Sequence, residues 1–302
     1  MEPSFIQHTA YHTDRANLVT IVSPHGSHGS KFWDYVPEIL KEPAINENKE
    51  LFLRYLAIEK DTGANELAHA IASHFVSIDP SYGANVIEFD YPRGIVDGGR
   101  ILSHCIRDCL PAQLKAQLTP RLKSLHARSL AKLEGVYKEL SSKKGLLLDI
   151  HTMAPYCPVD ANGKAKTIPV SFDTLAAYVQ QFIDAQISES NRRTVDLIIS
   201  DPSLTKAIAD QDLQLALQGV FSSRGIDFCE NHPYFAEEHF LMYQHFVNAK
   251  AVAIDVPKDR IARLKGKNEY FDLADFELDQ KKIDHIAEAI ASALHLCLAA
   301  KR

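Results

Sequence analysis

Five short apolar runs recur along the chain: LVTIVS at 18–23, NVIEFDY at 85–91, GLLLDIH at 145–151, VDLIIS at 195–200 and AVAIDV at 251–256. Each is rich in Val, Ile and Leu without strict alternation, the pattern of a strand covered on both faces, as parallel strands usually are. Between them, apolar positions repeat at helical spacing over 65–75, 111–140, 171–188, 203–221 and 281–299. Ser171 and Ser203 precede polar first turns and are predicted N-caps, and Gly145 follows the long helix as a C-cap glycine would. Pro120 is expected to divide or kink that helix. Strand and helix alternate from end to end, and no repeat or linker marks a boundary. The prediction is a single three-layer α/β/α domain over 1–302, with a mainly parallel, mixed central sheet.

Composition narrows the function classes. The 302 residues are 46% hydrophobic and 24% charged with a net charge of −6, so neither disorder nor a general electrostatic attraction to nucleic acid or anionic membrane is expected. Cys105, Cys109, Cys157, Cys229 and Cys297 are scattered without CxxC spacing, which fits reduced thiols better than a disulfide framework or zinc knuckle. The amino-terminal stretch lacks the apolar core of a signal peptide, and no run approaches the roughly 18 residues of a membrane span. A soluble, cytoplasmic protein is expected.

Open α/β sheets bind ligands beyond the carboxyl ends of their strands. Four of the five predicted strands end in groups able to do chemistry: the first at His25, the second before Arg93, Asp97 and Arg100, the third at Asp149 and His151, and the last at Asp255. Two histidines from two strand ends, beside carboxylates, supply the donor types of a catalytic zinc site with three protein ligands and one open position. His25 and His151 are the histidine candidates, and the glycines of SPHGSHG let the chain turn sharply beside the first of them. Asp149, two residues before His151 on an extended strand, is a candidate to orient its imidazole. His69 and His74 are five apart and share a helix face poorly, while His126, His285 and His295 are expected at the surface or boundary of amphipathic helices. Cys105 and Cys109 read as buried rather than nucleophilic.

Five motifs, in order, resemble the N-formylglutamate amidohydrolase family: SPHGSHG its PHxG element, EKDTGANELA its acidic helix start, YPRGIVDGGR its YxRxxVDxNR element, DIHTM its DxHSM, and ENHPYF its late NxPY-like stretch. The resemblance covers residues 20 to about 260. It implies a fold like that of the zinc carboxypeptidases and related deacylases, with one zinc ion at the strand ends. Carried over by position, His25 and His151 match the ligand histidines, and Asp61 matches the carboxylate ligand, with Glu59 as the neighbouring alternative. Relatives place HxxE where this chain has HxxH, so His28 is a further candidate for third ligand.

The same resemblance puts Asp255 where relatives have a catalytic glutamate, as the general base, with Glu230 as the alternative. Arg93 and Arg100 suit a substrate carboxylate through their planar forks, against a structural reading in which they pair with Asp97; Arg224 is a third candidate. Asn231 and Tyr234 match the substrate loop, the tyrosine hydroxyl as a donor to the developing oxyanion, against a structural reading in which Tyr234 packs and Asn231 holds a turn. Gly99 stands where the family usually has Asn. The implied activity is zinc-dependent hydrolysis of the amide bond of a small N-acyl amino acid. The alternatives are a metallocarboxypeptidase or amidase acting on peptide or cell-wall fragments, and a non-catalytic carboxylate-binding protein. The chain has neither GxGxxG after its first strand nor GxxxxGK[ST], which argues against nucleotide binding.

Overall fold

The computed structural model describes residues 5–12, 16–156, 158, 168–185, 191–203, 207–265 and 276–300. Cys157 and parts of 155–170 and 256–275 lie outside them. The strands are β1 (Ile6–Tyr11), β2 (Ala16–Ser23), β3 (Tyr82–Phe89), β4 (Leu146–Met153), β5 (Val195–Ile198), β6 (Phe228–Glu230) and β7 (Lys250–Pro257), with a small hairpin of β8 (Ala262–Leu264) and β9 (Phe276–Leu278). The first seven form one sheet in the order β1-β3-β2-β4-β7-β5-β6. β3, β2, β4 and β7 are mutually parallel, and these are the four runs whose ends carry polar groups. β5, the VDLIIS run, lies antiparallel to β7, so its carboxyl end points away from that edge.

The helices are α1 (Ser30–Tyr35), α2 (Glu38–Lys41), α3 (Pro43–Glu47), α4 (Lys49–Glu59), α5 (Ala64–Ile78), α6 (Ala112–Lys143), α7 (Leu175–Asp184), α8 (Gln211–Ser223), α9 (Leu241–Asn248) and α10 (Gln280–Ala299). Successive strand residues face opposite layers. Ile21, Leu146, Leu148 and Ile254 pack with α5, α8 and α10, whereas Val22, Leu147, Ala251 and Ala253 pack with the α6 and α9 side. Leu147, Asp149 and His151 alternate with the first set, so β4 directs its polar residues into the second layer. This is the expected three-layer α/β/α arrangement around a mixed, mostly parallel sheet.

Three local expectations need correction. Pro120 does not divide α6, which runs unbroken over 32 residues; Leu114, Leu118, Leu122 and Leu125 are buried on both sides of the proline, and that packing outweighs one missing backbone hydrogen bond. Ser203 is no N-cap: its N–H and hydroxyl donate to Asp201 in a turn, and α8 begins eight residues later, where Asp210 accepts from the Leu213 N–H at 3.0 Å. At the end of α6 the left-handed residue is Lys144 (φ 54), while Gly145 is required by close approach, since a Cβ there would lie 2.8 Å from the Leu18 carbonyl oxygen. Ser171 does act as a cap, on a single 3₁₀ turn in a capping box with Thr174.

Candidate metal centre

His25 stands just beyond the end of β2 and His151 lies in the neighbouring β4, so the parallel pairing brings both to one edge. Asp61 follows α4, and its N–H donates to the His25 carbonyl at 3.2 Å, which ties the acidic turn to the histidine loop. The result is a triangle of His25 Nδ1, His151 Nδ1 and Asp61 Oδ2, with sides of 3.1, 3.1 and 3.3 Å. All three residues are buried. Ligands about 2.0–2.1 Å from a tetrahedral zinc ion stand about 3.3 Å apart, so the triangle matches the spacing of such a site.

The outer nitrogens fix the tautomers. His25 Nε2 lies 2.8 Å from Asp97 Oδ1, and His151 Nε2 lies 3.1 Å from Asp149 Oδ1. The second contact is an ion-pair approach rather than an aligned hydrogen bond, because neither Asp149 oxygen nor His151 Nε2 has a hydrogen-bond partner among the described residues. Both carboxylates draw the ring proton to Nε2 and turn the Nδ1 lone pairs toward Asp61. With Nε2 protonated, the Gly99 N–H, 2.8 Å from it, is best satisfied by Asp97 Oδ1 at 3.1 Å. Three acceptors converging at such distances repel one another unless a cation lies among them. The donor set therefore fits a divalent metal ion.

Arg93 orients the third donor. Its Nη1 donates to Asp61 Oδ1 at 2.8 Å, leaving Oδ2 to face the imidazoles. Burial pushes the Asp61 carboxyl up, but the charge of the Arg93 guanidinium beside it leads the effects that hold the group well below the usual carboxylate range. Glu59 is committed elsewhere, accepting from Arg107 Nη2 at 3.1 Å and from the Tyr178 hydroxyl. His28 is exposed and joins no metal-ligating cluster among the described residues. Geometry thus favours Asp61 over both alternatives. The same geometry calls for glycine at position 99, where a Cβ would lie 2.6 Å from Cε1 of His25.

A cleft of about 420 Å³ opens beside the triangle. Arg93, Arg100, Tyr234 and Asp255 all line it. Asp255 is in register with His151 across β7 and β4, and its buried Oδ1 has no hydrogen-bond partner among the described residues. Burial, and then the charge of Asp61, push its carboxyl up to about 7. Arg100 Nε donates to Asp97 Oδ2 at 2.9 Å, the pairing foreseen as the structural reading, and its guanidinium stacks 4.8 Å over the Phe240 ring. Arg107 also lines the cleft and is absent from the motif-based expectations, because it lies outside the YPRGIVDGGR element. Its N–H donates to the Ile95 carbonyl at 3.1 Å, folding that chain back onto the motif.

Other candidates lie apart. Asn231 does not line the cleft: its side-chain oxygen accepts from the N–H groups of Ile199 and Ser200 at 2.9 and 3.0 Å, fixing the end of β5. Glu230 is exposed and held by Gln214 and Gln218, and Arg224 pairs with Glu288 at 3.4 Å on α10. Neither reaches the centre. His126 is fully buried rather than at the surface, accepting from the Tyr91 hydroxyl at 2.7 Å and donating to the Arg100 carbonyl at 2.7 Å. His245, fully buried on α9, places Nε2 3.7 Å from Asp149 Oδ2, a neighbour that the motifs did not disclose.

No protein-family model and no curated protein sequence matches the chain. Among solved structures, a gene product from Agrobacterium tumefaciens is similar with a TM-score of 0.55 and 12% identity, covering 98% of this chain and 94% of that one. The N-formylglutamate amidohydrolase from Ralstonia eutropha is similar with a TM-score of 0.54 and 13% identity, covering 98% of both chains. A metallo-carboxypeptidase from Burkholderia cenocepacia aligns more loosely, with a TM-score of 0.37 and 10% identity over 95% of this chain and 58% of that one. No helix of the described residues is long and apolar enough to cross a membrane. The chain has the fold of the amidohydrolase whose family its motifs resemble.

Proposed function

We propose that the chain is a single-domain, zinc-dependent amidohydrolase that cleaves the amide bond of a small N-acyl amino acid. The observation that carries this reading is the buried triangle of two imidazole nitrogens and one carboxylate oxygen beside an open cleft. When bound by His25, Asp61 and His151, a zinc ion supplies Lewis acidity and makes hydroxide available near neutral pH. Asp255 takes the proton of the attacking water and delivers it to the departing nitrogen, a role suited to a buried carboxylate that lines the cleft beside the triangle. Arg100 holds a substrate carboxylate with the guanidinium nitrogens that Asp97 leaves unused. Arg93 is a positioning residue for Asp61. Tyr234 donates its hydroxyl to the developing oxyanion. The small cleft favours a small substrate over a long peptide.

The test is hydrolysis of a panel of N-acyl amino acids by the purified chain before chelation, after chelation and after zinc is restored. The proposal expects activity that disappears and returns with the metal. Activity indifferent to chelation, or ligand binding that never leads to cleavage, would count against it.

A further inference from the structure

The cleft cations are already balanced. Arg93 pairs with Asp61 at 2.8 Å, Arg100 with Asp97 at 2.9 Å, and Arg107 with Glu59 at 3.1 Å and with Asp97 at 3.7 Å. Three guanidinium groups thus stand beside four buried carboxylates, Glu59, Asp61, Asp97 and Asp255, and no fourth arginine or lysine lines the cleft among the described residues. Arg100 is the best placed to accept an outside anion, because Asp97 engages its Nε edge and the stack on Phe240 holds the plane of its fork. The walls beside these arginines are apolar: Phe240 and Met242 at the start of α9, Val170 and Tyr178 at α7, and Phe235 after β6.

We infer that the amine half of the substrate is a monocarboxylate amino acid with an apolar side chain, such as leucine or phenylalanine, rather than glutamate or aspartate. This rests on the amidohydrolase reading of the site. One carboxylate is matched by Arg100. A second would meet Arg93 and Arg107 already paired with Asp61 and Glu59, beside the further carboxylate of Asp255, and a partly buried charge without a partner is disfavoured. An aliphatic or aromatic side chain instead gains burial against Phe240, Met242 and Val170, each methylene being worth about fourfold in affinity. Discrimination of this type is strong because the mismatched substrate leaves a charge without a partner.

The test compares kcat/KM of the zinc-loaded full chain for N-formyl-leucine, N-formyl-phenylalanine and N-formylglutamate, alongside calorimetric affinities for N-acetyl-leucine and N-acetylglutamate. The expected result is at least a tenfold preference for the apolar substrates in both measurements. In the Val170→Lys variant, which adds a cation at the cleft wall, that preference should narrow at least fivefold. Equal or better turnover of N-formylglutamate would overturn the inference and leave the hydrolase reading standing. If no amide is cleaved and no metal is bound, the hydrolase reading falls, and the calorimetric preference alone decides the inference; glutamate binding as tightly as leucine overturns it. An unchanged preference in Val170→Lys also overturns the view that charge balance sets selectivity.

Discussion

Arg93 and Asp61 divide one carboxylate between two tasks: Oδ1 accepts from Arg93 at 2.8 Å, and Oδ2 lies 3.1 Å from His151 and 3.3 Å from His25. An arginine that only bound substrate would alter KM. Arg93→Met should instead weaken zinc binding about 10- to 100-fold, the range for removing a group that orients a ligand. Chelator competition measures it. Zinc affinity equal to wild type, with KM alone raised, would return Arg93 to a substrate role.

Asp255 sits across from His151 with a buried oxygen that no described group satisfies. Asp255→Asn keeps the shape and removes the base, so kcat should fall about 10²- to 10⁴-fold while the zinc content stays that of wild type. Steady-state kinetics paired with metal analysis checks this. A loss of zinc in the variant would show that Asp255 helps hold the ion instead.

Burial pushes the pKa of His126 below the ordinary value of about 6.5, more than the Arg100 carbonyl and Asp97 raise it. The folded state therefore stays neutral there while the unfolded chain gains a proton as pH falls through about 6.5. Stability associated with this residue is full above that pH and is lost progressively below it. Between pH 7 and 5, Tm should fall more steeply for wild type than for His126→Gln. Parallel curves would contradict the assignment.

Burial also pushes the thiols of Cys105 and Cys109 up, to about 11 and about 12. Little thiolate exists at neutral pH in either. Pulsed alkylation of the native protein at pH 8, read by mass spectrometry, should label the partly exposed Cys229 well before these two. Comparable labelling of all three would mean that this region opens readily.

The four parallel strands were legible because each is an unbroken apolar run, and their polar ends led directly to His25, His151 and Asp255. β1 was not, because only its first residue is buried and IQHTAY is mostly exposed along an edge. The short helices between His25 and Asp61 carry too few turns to set up a clear period. At the centre, sequence alone left Asp61, Glu59 and His28 in competition, since the choice depends on which side chains Arg93, Arg107 and Tyr178 claim. For Asn231 a motif position does not reveal whether a side chain turns into a cleft or, as here, back onto the N–H groups of Ile199 and Ser200.

The most direct test of the metal centre is the zinc content per chain, measured by mass spectrometry, in wild type and in folded His25→Ala and His151→Ala variants. One ion per wild-type chain, absent from both variants, is the predicted result. A wild-type chain that binds no zinc at saturating concentration, or variants that keep a full equivalent, would contradict it.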